Sequence, residues 1–318
     1  MTLPEYSRRM NRVLDHIDRH LDQPLALDAL ARIAHFSAFH FHRVCAAWLG
    51  ETLGDYLQRR RLAAGAALLA ARPDESVLSV AVSVGFGSGE AFARAFKRRF
   101  GCTPSAWRAQ TPARWAEQLE AVRARRLTRQ SNLDQNESKT DQAPGGAAGD
   151  HEDFPNTPME YHMSIQFRDF PATRVAYLRK IGPYGAPVSA FLSEVFMPWL
   201  QANGLDGQPW FGVAHDDPSI TPAQKCRYDA CVAVPENFVP GGQAMLTTLP
   251  GGRYAVGAFT GTALTIGDAW TEMFRDWLPA SGMQCDARPV FEYYTRDNHY
   301  DPATGVFNCE LCIPVRPL

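Results

Sequence analysis

The sequence lacks any long hydrophobic run, although hydrophobic residues make up 45% of its 318 residues. A membrane-spanning helix needs about 18 or more consecutive apolar residues, so we expect no membrane segment. The first twenty residues contain no apolar core of a secretory signal. The seven cysteines are an odd number in a chain too large to need disulfide bonds for stability, which is typical of reduced thiols. These features predict a cytoplasmic protein of about two domains.

The common signatures of catalysis and of cofactor or metal binding are also missing. No GxSxG, Walker or GxGxxG motif stands in a strand–turn–helix setting. Cys309 and Cys312 have the spacing of half a zinc site, but no second Cys or His pair accompanies them, and on a strand their sulfurs would point to opposite faces. Asp216 and Asp217 precede Pro218, which is typical of a turn. We therefore expect no cofactor, no metal and no catalytic residue of these classes.

The net charge is only −2, but the charges are unevenly distributed along the chain. Lysine and arginine exceed the acidic residues in residues 1–130, whereas residues 131–160 are strongly acidic and the remainder is mildly acidic. This asymmetry indicates a polyanion as the partner of the N-terminal part alone.

The stretch at residues 85–107 reads GFGSGEAFARAFKRRFGCTPSAW and predicts a short helix with an apolar back. Ser88 is a favourable N-cap, and Phe92 and Phe96 recur at helical spacing. The opposite face is basic and carries Arg94, Lys97 and Arg98. Such a helix can enter a DNA major groove, although an ordinary solvated helix can have the same basic face.

This unit occurs twice in the sequence. Ser37 and Arg43 match Ser88 and Arg94 at a common offset, and a long helix at residues 52–71 separates the two units. At ~1.5 Å per residue that helix spans roughly 28 Å, close to the ~34 Å between successive major grooves on one side of DNA. The duplication therefore favours DNA binding over a solvated surface.

Residues from about 8 to 110 resemble the DNA-binding domain of AraC/XylS-type transcription regulators, most closely in VSVGFGSGEAFARAFKRRFGCTPSAWR. The resemblance implies an all-α domain at residues 1–112, with two helix-turn-helix units whose recognition helices begin at Ser37 and Ser88. It also implies double-stranded operator DNA and RNA polymerase as partners. The residues that would face DNA are Ala38, Phe39, His42 and Arg43 in the first recognition helix and Gly89, Glu90, Ala93 and Arg94 in the second, with Lys97 and Arg98 nearer the phosphates.

Three positions depart from the family pattern or weaken the reading of bases. His35 stands where the family usually has a turn glycine, and histidine adopts a left-handed conformation at some cost. Gly89 and Ala93 leave the second recognition helix poor in hydrogen-bonding side chains. We therefore expect His42 and Arg43 of the first unit to carry more of the sequence specificity.

Residues 113–160 predict a basic helical tail followed by an acidic linker. Trp115 and Val122 lie on one helical stripe in a segment that starts at Thr111. Residues 131–158 contain only two large apolar side chains, a composition that cannot support a core. We expect this linker to be disordered.

Residues 161–318 alternate in polarity and contain two amphipathic helices, which predicts an α+β domain. The segments FMPWLQANG and FRDWLPASG look like one module used twice. A duplicated strand–helix–strand unit would build an antiparallel sheet with helices on one side and a cleft at the seam of the halves.

The same half resembles the GyrI-like, or effector-binding, domain found in AraC-type and related regulators. The matching pieces are RVAYLRKIGPYG, VAHDDP, RYDACVAV, LPGGRYAVGAFTG, FEYY and CIPV. The resemblance implies a hydrophobic ligand cleft with a buried glutamate in the position of Glu292.

The residues around Glu292 support this expectation. Alternation in PVFEYY places Val290, Glu292 and Tyr294 on one face among large apolar groups. A buried carboxylate is costly unless it is protonated, paired or reserved for a cationic ligand, and Arg227, Arg253 or a backbone donor could pair with it. The aromatic candidates for the cleft wall are Trp210, Phe211, Tyr254 and Trp270.

Together these features predict a transcription regulator that binds DNA and senses a small lipophilic or cationic effector, and that is not an enzyme. Two alternatives stay open for the C-terminal half. A subset of GyrI-like domains hydrolyses ligands, and here Glu292 with a nearby tyrosine could act as general base. The domain could instead bind a partner protein.

Overall fold

The computed structural model describes residues 3–140 and 163–318. Within the first range the regular elements are helices. They are α1 (Leu3–Arg19), α2 (Leu27–Ile33), α3 (Ala38–Leu49), α4 (Leu53–Ala71), α5 (Val77–Ser83), α6 (Gly89–Phe100) and α7 (Pro104–Thr140). No helix in the described ranges is both long and apolar enough to cross a membrane.

The two helix-turn-helix units begin and end alike, which confirms the predicted duplication. The Ser37 and Ser88 side chains accept hydrogen bonds from backbone N–H groups of α3 and α6, as N-caps do. Both helices end at a left-handed glycine. His35 in the first turn has φ 53°, the left-handed conformation that Gly85 adopts in the second with φ 86°. The turn therefore has the same backbone conformation in both units, although the first has histidine in place of glycine.

Two apolar clusters share α4 as their common support. The first joins α1, α2 and α3 to Tyr56, and the second joins the far half of α4 to α5 and α6. The largest fully buried side chains of the two clusters include Met10, Leu14, Ile17, Leu30, Phe41, Phe92 and Phe96. The phenylalanines predicted to form the backs of the recognition helices are thus core residues.

Helix α7 corrects the expected organisation of residues 104–140. The sequence predicts a helical segment that starts at Thr111, but a single helix runs from Pro104 to Thr140 with Pro112 inside it. The Thr111 hydroxyl donates to the Trp107 carbonyl one turn back, at 2.8 Å. The first ten residues of the predicted linker are also helical, and the rest of that linker lies outside the described residues.

The second described range forms an antiparallel sheet with helices on one face. Its strands are β1 (Ile165–Phe170), β2 (Thr173–Ile181), β3 (Trp210–Ala214), β4 (Arg227–Ala233), β5 (Met245–Leu249), β6 (Gly252–Gly261), β7 (Met283–Cys285), β8 (Phe291–Tyr294), β9 (Tyr300–Asp301) and β10 (Val306–Pro317). The helices are α8 (Ala186–Phe191), α9 (Met197–Ala202), α10 (Ile266–Glu272) and α11 (Leu278–Ala280). A π-helical turn joins α8 to α9 (Leu192–Phe196) and another joins α10 to α11 (Met273–Trp277).

The strand order β1-β6-β10-β8-β3-β4-β2-β5 contains the predicted duplication. The first half is β2, α8–α9, β3 and β4, and the second half is β6, α10–α11, β8 and β10. The halves meet where β3 pairs with β8. Their flanking strands are exchanged, because β1 pairs with β6 and β5 pairs with β2. The sequence pattern predicts the duplication but not this exchange.

The two faces of the sheet carry separate cores. One face packs Val175, Phe211, Tyr254, Phe291 and Cys312 together with other apolar residues. The other face packs against α8–α11. Cys309 lies on this helix-covered face and Cys312 on the opposite one, which confirms that their sulfurs diverge.

Buried ion pairs dock the helical half against the sheet. The Arg227 guanidinium, 2% exposed, lies between Asp18 of α1 and Asp216, with Nε 2.9 Å from the Asp216 carboxylate. Arg60 of α4 binds the same two carboxylates. Arginine charge holds the pKa of Asp18 and Asp216 below their ordinary values against the opposing effect of burial.

A second cluster extends this contact along β2 and β4. Arg179 and Asp229 are cross-strand neighbours, and their side chains are 2.6 Å apart. The same guanidinium lies 2.9 Å from Asp15 of α1, which also accepts a hydrogen bond from the Tyr177 hydroxyl at 2.5 Å. The two halves thus meet through a polar, internally compensated surface.

Candidate DNA-binding surface and effector cavity

The first recognition helix, α3, presents an uncovered face. Phe39 is 75% exposed, and His42 and Arg43 are also exposed, while Ala38 is half-buried. The Arg43 guanidinium lies 5.9 Å from the centre of the Phe39 ring. A cation beside an exposed aromatic ring can contact both phosphates and base edges.

The second recognition helix, α6, is basic along its outer face. Glu90, Arg94, Lys97 and Arg98 are exposed, whereas Gly89 and Ala93 are half-buried. Arg99 at the flank of this helix donates to the Ile220 carbonyl of the C-terminal half, at 3.3 Å. That contact lies beside the outer face and leaves it open. The DNA-contact roles of the residues on both helices stay predictions.

In the sheet, Glu292 of β8 is 8% exposed on the helix-covered face. It accepts hydrogen bonds from the Tyr228 hydroxyl at 2.7 Å and from the Tyr294 hydroxyl at 3.1 Å. Burial raises the pKa of Glu292, and hydrogen bonds from these tyrosines and from Trp270 act in the opposite direction. Within the described residues, the hydrogen-bond donors of Glu292 are therefore uncharged side chains.

The expected arginine partners of Glu292 lie elsewhere. Arg227 binds Asp18 and Asp216, and the Arg253 guanidinium lies 5.0 Å from the centre of the Phe167 ring. Within the described ranges no cationic side chain forms an ion pair with Glu292. The expectation that Arg227 could pair with this carboxylate is wrong, because Arg227 is paired with Asp18 and Asp216 at the interface with α1.

Gly212 of β3 makes room for this site. A Cβ at position 212 would lie 1.9 Å from the Tyr228 hydroxyl and 2.6 Å from a Glu292 carboxylate oxygen. Gly212 is the register neighbour of Glu292, so the tyrosine reaches the carboxylate directly over its backbone. Any larger residue would separate the two groups.

The aromatic candidates divide between the two faces of the sheet. Trp210 stacks on Tyr294 with ring centres 3.6 Å apart and planes 3° apart, and Trp270 reaches Glu292 from α10. Phe211 and Tyr254 pack in the core on the opposite face, because alternation along a strand turns neighbouring residues to opposite sides. The structure thus brings together Glu292, Trp210 and Trp270, but places Phe211 and Tyr254 away from them.

Tyr228 and Gly212 are components of the site that sequence reasoning missed. In RYDACVAV, Arg227 and Asp229 are charged and alternate with Tyr228. This pattern could have indicated a strand with a charged docking face and an aromatic face.

A cavity of about 1500 Å³ opens beside Glu292. Its walls include Trp210, Tyr228, Trp270 and Tyr294 on the sheet side. An anionic group among stacked aromatic rings can bind a cation by charge and by cation–π contact. In the part of the chain that the structure describes, no group of three or more His, Cys, Asp and Glu residues could hold a metal ion.

Comparison with known proteins matches each half separately. Residues 163–316 match the GyrI-like small molecule binding domain, and residues 30–110 match a helix-turn-helix domain. YosT of the SPbeta prophage in Bacillus subtilis (strain 168), which is named as a transcriptional regulator, is 34% identical over 158 residues, or 48% of this chain and 100% of YosT. The DNA gyrase inhibitor of Escherichia coli (strain K12) is 28% identical over 162 residues, or 49% of this chain and 98% of that protein. Among solved structures, the DNA-binding domain of AdpA, a global transcriptional factor in complex with a target DNA, has 30% identity and a TM-score of 0.32, covering 33% of this chain and 95% of that one.

Proposed function

The chain belongs to the AraC-type DNA-binding regulators with a C-terminal GyrI-like small-molecule-binding domain, and we propose that its effector is a lipophilic cation bound at Glu292. The observation that carries this proposal is the buried carboxylate without a cationic partner in the described ranges. Burying such a group lowers stability unless a cation reaches it. Trp210 and Tyr294 add a stacked aromatic wall beside it.

Titration calorimetry with tetraphenylphosphonium tests the proposal on the full chain. Wild type should bind this lipophilic cation, and Glu292→Gln should weaken binding at least tenfold because the counter-charge is lost. Glu236→Gln, at an exposed loop position, is the matched control and should bind as wild type does. Equal affinity of wild type and Glu292→Gln would reject Glu292 as the cation site.

On the DNA side, we propose that α3 and α6 enter successive major grooves, with the exposed residues named above facing the bases and phosphates. The exposed Leu78 and Val82 on α5 support RNA polymerase as a further partner, since they form an uncovered apolar surface on the DNA-binding half. A protein that regulates transcription in this way would act in the cytoplasm.

A hydrolase that uses Glu292 as general base is the competing proposal for the C-terminal half. It is supported by the raised pKa of Glu292 and by Tyr228 and Tyr294, which could orient the carboxylate or a substrate. Incubation with p-nitrophenyl acetate separates the two: turnover that is lost in Glu292→Gln favours an enzyme. We expect binding without turnover.

A further inference from the structure

The cavity beside Glu292 is not confined to the GyrI-like domain. It extends to α7 of the DNA-binding half, where its walls include Arg114, Trp115 and Gln118. Its volume of about 1500 Å³ exceeds the ~300–1,000 Å³ typical of sites for drug-sized ligands. Two structural parts of the chain therefore line one open cavity.

Arginines of α7 hold this second wall in place. Arg125 and Arg129 bind Asp268 of α10 at 2.6 and 3.0 Å, and Arg126 binds Glu272 at 2.5 Å. Three ion pairs to one short helix fix the position of α7 along α10. The wall is thus a built part of the site.

The opposite side of α10 faces the carboxylate, since Trp270 lies between Asp268 and Glu272 in sequence and lines the cavity together with Glu292. Arg275 of the following π turn lies 5.3 Å from the centre of the Trp115 ring. One helical segment thus contacts both Glu292 and α7.

Gln118 gives this wall its chemical character. Its Oε1 atom is buried and has no hydrogen-bond partner within the described part of the chain. A buried acceptor without a donor is unfavourable. Because Gln118 lines the cavity, rotation of its amide would present the Oε1 atom to a ligand that carries a donor, and the new hydrogen bond would remove that cost. Arg114 and Arg275 also belong to this end of the cavity, and burial together with the charge of Arg275 lowers the pKa of Arg114. Arg275 is paired with Asp217 at 3.5 Å, so among the described residues Arg114 supplies the uncompensated positive charge at this end of the cavity. That charge disfavours a second positive group of the ligand here, so the donor should be neutral.

We propose that α7 completes the effector site, and that Gln118 selects lipophilic cations that carry a neutral hydrogen-bond donor at the end remote from the cationic group. This inference rests on the proposed role of Glu292 as the cation site. It adds that a single effector contacts both halves of the protein. The DNA-binding half is then a direct part of the sensor.

Two aryl-trimethylammonium probes that differ by one methyl group test the selection, one ending in a phenol hydroxyl and the other in its methyl ether. Calorimetry on the full chain should show that wild type binds the phenol about tenfold more tightly than the ether, the effect of one hydrogen bond. Gln118→Leu should bind both probes equally, with the affinity for the ether unchanged. Gln118→Met, a second variant of similar volume, should also bind both probes equally. It keeps the test valid if Gln118→Leu perturbs folding.

The outcomes separate this inference from the function on which it rests. Suppose that Glu292→Gln weakens the binding of both probes, as the proposed function requires. A phenol preference that survives in Gln118→Leu, or that is absent in wild type, then overturns only the role of Gln118. An equal loss of affinity for both probes in Gln118→Leu and Gln118→Met also overturns it, because the residue would then be only structural. Failure of wild type to bind either probe while tetraphenylphosphonium binds overturns the inference about Gln118. Failure of wild type to bind tetraphenylphosphonium as well, or unchanged binding by Glu292→Gln, rejects the proposed function itself.

Discussion

Among single residues, Glu292 has the most informative environment. Its pKa is raised mainly by burial, and it accepts hydrogen bonds from the hydroxyl groups of Tyr228 and Tyr294. Because the folded-state pKa lies above the unfolded value, the contribution of this group to stability is fully present below the unfolded pKa. That contribution is lost as pH rises through the folded-state pKa. The unliganded protein is therefore less stable at neutral pH than it would be with an uncharged side chain at position 292.

We expect Glu292→Gln to raise the free energy of unfolding at pH 7 by roughly 1–3 kcal/mol, because the amide keeps a polar group but removes the buried charge. Urea unfolding at pH 7 and pH 4 measures the effect, and the difference from wild type should shrink at the lower pH. A variant less stable than wild type at pH 7 would contradict a charged Glu292 in the folded protein.

Gly212→Ala should disrupt the same site sterically. The added methyl group would collide with Tyr228 and Glu292, so we expect lower stability and at least tenfold weaker tetraphenylphosphonium binding. Gly241→Ala is the matched control, since its Cβ would meet nothing within 4 Å and the residue is exposed in a loop that does not line the cavity. Similar effects of both substitutions on binding would argue against a specific role of Gly212.

Arg43→Ala and Arg94→Ala should each weaken operator binding by about 1–3 kcal/mol. The two residues occupy equivalent exposed positions on α3 and α6. Fluorescence anisotropy of labelled operator DNA at fixed salt measures the effect, because phosphate contacts make affinity depend on salt. Arg296→Ala removes the same charge at an exposed site of the C-terminal half and should have no effect. Unchanged operator affinity in both variants would reject α3 and α6 as recognition helices.

At the scale of elements, local chemistry determines what the sequence can predict. Ser37 and Ser88 cap their helices through contacts within one turn, and the phenylalanine spacing directly predicts which side is buried. The separation of Phe211 from Trp210 also follows from strand alternation, once the strand is located. These relations need only neighbours in the chain.

Contacts between distant segments could not be predicted in the same way. Arg227 is satisfied by Asp18, a partner 209 residues earlier in the chain. The run of α7 through Pro112 depends on its packing against α4 and α10. Nothing in the local sequence distinguishes that proline from one that ends a helix.

Asp18→Asn tests the docking of α1 on the sheet. Removing one carboxylate leaves the buried Arg227 with less compensation, which should destabilise the protein by about 3 kcal/mol. Asp22→Asn, an exposed position just beyond α1, is the control. Thermal unfolding of the full chain measures both.

The same pair gives a pH dependence of opposite sign to that of Glu292. Because the pKa of Asp18 is lowered in the folded state, its contribution is present above the unfolded pKa and is lost as pH falls through the folded value. Wild type and Asp18→Asn should therefore converge in strong acid. A constant difference from pH 7 to pH 2 would contradict an ionic role for Asp18.

At the scale of the whole molecule, the docked C-terminal half leaves the outer faces of α3 and α6 exposed. In this arrangement the C-terminal half therefore does not regulate DNA binding by covering the DNA-binding surface. Effector contact with α7 would instead change the position of α7 relative to α10, and so act on the spacing or stability of the helix-turn-helix units.

We accordingly expect a ternary complex of protein, operator and cation. Operator anisotropy measured with saturating tetraphenylphosphonium should show an affinity shifted by a finite factor, and operator should shift cation affinity by the same factor. Mutually exclusive binding would contradict the open arrangement of α3 and α6.

The exchange of β1 and β5 between the halves of the sheet has a consequence for how the protein is made. β1 finds its partner only after β6 has been synthesised, and β6 in turn needs β10, the last described strand, on its other side. Pairing over such sequence distances is slow compared with local helix formation. The helix-turn-helix units can fold early on the ribosome, while the sensor closes only when the final strand emerges. Each new molecule is thus a DNA-binding protein before it is a regulated one.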